Sequence, residues 1–225
     1  GSYVNAYGDR AAIFNAGDYV NALGPHSAQN NNGSFCDFIG YYAGYDNTGS
    51  YVSAVGISAA YGNIGNAVIA LGGNAGINNT GDGLVAIGEN SGLGNAGGQS
   101  TLVGQNTGIY NVGKLTAIGY QAGTSNTGSG VTAIGNGAAD SNSGDSIIAI
   151  GNDTAYQNTG SNVLALGNNA AQYNTLSNVT VISNDVLPAY PDNASAVAAL
   201  SGGTSGNTYL YFNTTTNAIE GVRIP

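Results

Sequence analysis

Positive charge is almost missing from this chain. Three basic residues (Arg10, Lys114, Arg223) stand against twelve acids, for a formal net charge of −9. Neutralising a phosphate backbone takes several Lys or Arg side chains on one face, so no nucleic-acid partner is expected. Charge of either sign is scarce, at 7% of residues, where an ordinary soluble domain has about 25%. A single histidine, His26, follows Gly24-Pro25. It reads as a surface turn residue, and a Ser-His-Asp triad or a His metal cluster would have only this one ring to build on. The lone Cys36 excludes an intrachain disulfide and reads as a packed structural thiol. No apolar run is long enough for a bilayer-spanning helix, so no direct membrane insertion is expected. The Gly-rich stretches lack the Lys of a phosphate loop, and the Asp-rich calcium nonapeptide is missing. The acids are scattered and read as solvated corners rather than as a glycosidase pair. These absences point away from an enzyme and from any cofactor or metal.

What is present is a repeat. Gly8, Gly24, Gly40, Gly56, Gly72, Gly88 and Gly104 are sixteen residues apart. After a one-residue deletion near Lys114 the series resumes at Gly119, Gly135, Gly151 and Gly167, and Thr180-Val181-Ile182-Ser183 is a degraded last copy. An aliphatic or aromatic residue precedes each of these glycines, usually with Ala before it and Val, Leu or Ile two residues earlier still. That is a short strand with one apolar face, since alternate residues share a face. The position between is polar early (Asn5, Asn21, Asp37, Ser53) and apolar at Ile69, Val85, Ile148 and Leu164. With so few charges, this second face is expected to be a subunit seam.

After the glycine comes a position that is only Ala or Gly (Ala12, Ala28, Gly44, Ala60 and onward), as if another backbone approached closely there. Every copy then carries an Asn: Asn15, Asn31, Asn47, Asn63, Asn79, Asn95, Asn111, Asn126, Asn142, Asn158 and Asn174. Gly follows two residues later in all but the last copy. Asn tolerates left-handed backbone and Gly supplies positive φ, so this pair reads as a corner, and stacked Asn amides can bond along a ladder. The fold class is therefore all-β: a parallel β-roll or β-solenoid of about eleven coils, with two short strands and two turns per repeat. At about 4.8 Å per level the rod is on the order of 50 Å long. Residues 1–176 form the repeat domain and 177–225 a C-terminal cap. The cap is expected to hold a break at Leu187–Pro191, a short helix over Ala194–Leu200, and a hairpin of Thr208–Phe212 and Ala218–Ile224 turning at Thr214–Asn217. Caps of this kind protect the open edge of a solenoid.

The segments Leu115-Thr116-Ala117-Ile118-Gly119-Tyr120-Gln121-Ala122-Gly123 and Val131-Thr132-Ala133-Ile134-Gly135-Asn136-Gly137-Ala138-Ala139 resemble the head repeats of trimeric autotransporter adhesins. They are similar also to the Ala-Ile-Gly and Asn-Thr-Gly repeats of bacteriophage tail fibres. The resemblance covers residues 3–176. It implies a left-handed parallel β-roll, three chains around a common axis, and a host-binding or adhesive role at a virion or cell surface, outside the cell. No coiled-coil stalk of the adhesin kind follows the repeats, which favours the fibre over the membrane-anchored form. A head-to-tail filament is the alternative assembly. Fifteen tyrosines include Tyr41, Tyr42, Tyr45, Tyr61, Tyr110, Tyr156 and Tyr173. These either shield seams and corners or form a surface for a cell-surface glycan or protein receptor, because amphipathic rings bind with little entropy loss.

Overall fold

Each copy of the repeat lays down one short strand. The computed structural model describes residues 1–182 together with the backbone of 208–213 and 218–223. Its repeat strands are β1 (Val4–Tyr7), β2 (Val20–Leu23), β3 (Cys36–Ile39), β4 (Val52–Val55), β5 (Val68–Leu71), β6 (Val85–Ile87), β7 (Thr101–Val103), β8 (Leu115–Ile118), β9 (Val131–Ile134), β10 (Ile147–Ile150), β11 (Val163–Leu166) and β12 (Val179–Ile182). They form a single parallel sheet in sequence order. Register follows the repeat, with Val52 opposite Val68 and Ala54 opposite Ala70. The result is a parallel β-solenoid of about eleven turns. The lost residue falls between Gly113 and Leu115, where Lys114 alone spans a corner that elsewhere takes two residues; β7 and β8 still pair in register, Leu102 opposite Ala117.

One strand per coil is a correction to the expected two. The opposite wall is a run of turns in which every second residue is left-handed. In the second coil His26, Ala28 and Asn30 have φ of 57°, 52° and 58°. Their N–H groups point to neighbouring coils in alternation: His26 donates back to Asp9 O, Ala28 forward to Ala43 O, Asn30 back to Ile13 O. Bonds within the coil, such as Ser27 N–H to Gly24 O, close each turn. The turn wall thereby pairs its backbone groups as a sheet would. Left-handed backbone disfavours ordinary L residues by about 1–2 kcal/mol each, which suits the Gly, Asn, Asp and Ser common along this wall.

Two expectations about small residues exchange places. The Ala-or-Gly position is the left-handed one, with φ of 52° at Ala28 and 64° at Gly44, and it faces strand side chains, not a backbone. The glycine of Asn-Xaa-Gly has no positive φ; a Cβ on Gly49 would overlap the carbonyl oxygen of Gly65 in the next coil. Backbone stacking, not backbone handedness, requires glycine there. None of the eleven repeat asparagines is left-handed either.

The core is a narrow column of Val and Ala (Val20, Val52, Ala54, Val68, Ala70, Val163, Ala165) inside the coils. Its two largest departures from Ala are compensated within their own coils. Where Phe38 or Leu102 replaces the usual Ala, the inward residue two before it shrinks to Cys36 or Ser100, and the facing turn residue becomes Gly44 or Gly108. A Cβ on Gly44 would overlap the Phe38 ring, and one on Gly108 would lie 2.6 Å from Leu102. Close packing leaves no room for both. In the C-terminal segment β13 (Thr208–Asn213) and β14 (Ala218–Arg223) pair antiparallel as a hairpin. The expected break at 187–191, helix at 194–200 and turn at 214–217 lie outside the described residues.

Candidate functional site

The repeat asparagines sit inside the rod, at the junction of the turn wall and the Asn-Xaa-Gly corner. From Asn31 to Asn158 all are fully buried. Each side-chain amide donates to the Oδ1 of the preceding coil's Asn at 2.7–2.9 Å, from Asn31 to Asn15 through Asn174 to Asn158. The second amide hydrogen goes to the carbonyl two residues on, as from Asn95 to Gly97 O at 2.8 Å. No buried side-chain N or O among the described residues lacks a partner. The ladder is fully satisfied, so it locks coil spacing and is closed to ligands.

Outside the sheet the side chains stand in two rows. One row is Tyr7, Leu23, Ile39, Val55, Leu71, Ile87, Val103, Ile118, Ile134, Ile150, Leu166 and Ile182: apolar in every coil and exposed or half-exposed throughout. The expected seam residues lie in the other row. Ile69 (43% exposed) and Ile148 (45%) are open to solvent, and Val85 and Leu164 are half-buried. They make two separate patches, with Thr101, Thr116 and Thr132 between them. At the N-terminal end the same row carries Asn5, Asn21 and Asp37, linked by side-chain hydrogen bonds from Asn5 to Asn21 and from Asn21 to Asp37. From β4 to β12 neither row contains a charged residue. Alternation from the inward Val and Ala sets the aliphatic row before each glycine on this outer face.

The tyrosines divide. Tyr41, Tyr42, Tyr45 and Tyr61 meet in one patch on the turn wall of the second to fourth coils, joined by His26. Tyr45 and Tyr61 stack at 5.0 Å, Tyr41 meets Tyr42 edge-on at 4.3 Å, and His26 stacks on Tyr42 at 4.7 Å. His26 Nδ1 is also 2.7 Å from Gln29 Oε1, so this histidine is part of an aromatic cluster and not an isolated turn residue. Burial and the neighbouring Asp46 push the Tyr61 hydroxyl up from its ordinary range. Tyr110 stands outside the patch and is exposed, while Tyr156 and Tyr173 form a distant edge-on pair. A second aromatic feature is Tyr3, Tyr19, Phe35 and Tyr51, stacked in a column at 4.8–5.1 Å just before β1 to β4. Their sixteen-residue spacing is visible in the sequence, but Phe35 hides the series from a count of tyrosines alone.

The acids are less scattered than their sequence positions suggest. Asp18, Asp82 and Asp145 occupy the same corner, and each accepts a backbone N–H from the preceding coil. Asp140 is half-buried, and desolvation pushes its carboxyl up, opposed by the Ser141 hydroxyl and supported by Asp153. Burial likewise raises the Cys36 thiol. Among the described residues no group of His, Cys, Asp and Glu is placed to hold a metal ion. Neither a family model, a curated protein nor a solved structure matches the chain.

Proposed function

We propose that this protein is a non-enzymatic structural rod, a segment of a fibre or adhesin-like appendage displayed outside the cell or on a virion. It associates with further copies through the outer sheet face and offers its aromatic patch to a host or surface. The exposed aliphatic row carries this reading. The row before the glycines, on strands about 4.8 Å apart, makes a continuous apolar stripe that Ile69 with Val85 and Ile148 with Leu164 widen in two places. A contiguous exposed apolar patch of a few hundred Å² marks an interaction surface. The Asn ladder supports it, because a fully bonded interior makes a stiff scaffold. The patch of His26, Tyr41, Tyr42, Tyr45 and Tyr61 suits a glycan or receptor through ring faces and hydroxyls.

Absolute mass by light scattering after size-exclusion chromatography tests the self-association. A discrete particle of two or three 22.2 kDa chains supports it. Large, concentration-dependent species would point to the head-to-tail filament, and a stable monomer would overturn the proposal.

A further inference from the structure

The outer face is not uniform along the rod, and its order has a symmetry. Along the row that holds Ile69 and Leu164 the residues of β4 to β12 run Ser53, Ile69, Val85, Thr101, Thr116, Thr132, Ile148, Leu164, Thr180. Read from either end, this is a hydroxyl, two aliphatics, three threonines, two aliphatics and a hydroxyl. The centre is Thr116 on β8.

We propose that the rods pair face to face as an antiparallel homodimer, with a two-fold axis in the interface, parallel to the strands and level with β8. This rests on the reading that the outer face is a self-association surface. The axis puts β4 opposite β12, β5 opposite β11, β6 opposite β10, β7 opposite β9, and β8 opposite its own copy. Ile69 then meets Leu164, Val85 meets Ile148, and the threonines meet threonines. In the row before the glycines every contact is aliphatic on aliphatic, from Val55 with Ile182 to Ile118 with itself.

The polar residues favour this arrangement, and the area it shares is sufficient for it. Asn5, Asn21 and Asp37 fall on β1 to β3, beyond the end of the partner, and already bond to one another. A parallel arrangement of two chains brings each coil to its own level and encloses both Asp37 carboxylates side by side in the seam, each against the partner's aliphatic row. Like charges in a drying interface are strongly disfavoured. The shared face of nine strands is about 40 Å long and about 13 Å wide from strand geometry. It buries roughly 1,100 Å² over both partners, at the low end for a specific complex. The overhanging coils, one set at each end of the dimer, carry Tyr3, Tyr19 and Phe35 of the aromatic column, and the His26–Tyr61 patch stays uncovered on the turn wall, away from the seam.

Mixed crosslinking on the full chain tests the arrangement, in a Cys36→Ala background. Facing sheets lie about 10 Å apart, so a short bismaleimide is the probe. Ile69→Cys mixed with Leu164→Cys is expected to give a two-chain product at least fivefold more abundant than either variant alone. Equal crosslinking of Ile69→Cys by itself means parallel rods and overturns the inference. Light scattering on the unaltered chain separates the two levels of failure. A two-chain mass agrees with the inference, a three-chain mass overturns it while leaving self-association intact, and a one-chain mass overturns both.

Discussion

At the scale of single residues, the buried asparagines show how one amide can hold three levels of the rod. Asn95 donates to Asn79 Oδ1 and to Gly97 O, and accepts from Asn111. Ala in its place strips partners from groups above, below and beside it, where no water reaches. Each of those groups keeps another partner: Gly81 N–H for Asn79 Oδ1, Ser100 Oγ for Gly97 O, and Gly113 O for the Asn111 amide. At about 0.5–1.5 kcal/mol for each of the three lost bonds, Asn95→Ala is therefore expected to lose roughly 2–4 kcal/mol. Asn15 ends the ladder and is only half-buried, so Asn15→Ala should lose about 1 kcal/mol. Urea midpoints at unchanged slope measure the contrast; equal losses would mean that the ladder contributes nothing beyond each local turn.

At the scale of the coil, the element is a closed volume shared by the strand and the turn wall. Phe38 occupies the space that a Cβ at residue 44 would need. Phe38→Ala alone should cost about 3–5 kcal/mol as a cavity. Gly44→Ala alone should cost about 1–3 kcal/mol by overpacking. The double variant recreates the Ala22 and Ala28 arrangement of the second coil. It should therefore be more stable than the two losses predict, by a coupling of about 1–3 kcal/mol in a double-mutant cycle. Simple additivity would show that the two positions do not share one space. The same reasoning explains why strand reading succeeded on one wall and failed on the other. Alternating Val and Ala carry the period of a strand, whereas a run of alternating left- and right-handed turns has no hydrophobic period to read.

At the scale of the whole molecule, the rod is a stack in which each coil touches only its neighbours, so stability is close to a sum over coils and interfaces. Removing residues 120–135, one repeat from Tyr120 to Gly135, rejoins Gly119 to Asn136 with every column intact. This deletion is expected to keep cooperative unfolding, with a midpoint lowered only slightly. Removing 120–136 shifts Asn142 by one position and takes it out of the ladder, so that variant should unfold at a much lower denaturant concentration. Circular dichroism against urea distinguishes them, and equal tolerance would show that strict register is not needed. The natural one-residue loss at Lys114 is tolerated because it falls in a corner, between the Asn column and the next strand, and displaces neither.

The sequence by itself determined the period, the coil count, the inward Val and Ala column and the position of the Asn ladder. Each is a residue type recurring at constant spacing, and in a parallel stack constant spacing means contact. The C-terminal hairpin was legible for a similar reason, as two β-rich runs around a short polar turn. Only the tertiary structure decided the handedness of individual residues, and with it which glycine is required by φ and which by a neighbouring carbonyl. It also gathered His26 with Tyr41, Tyr42, Tyr45 and Tyr61 while leaving Tyr110, Tyr156 and Tyr173 elsewhere. Those facts depend on which wall of the coil a side chain leaves from, and that direction is set by the path of the backbone between the repeated positions.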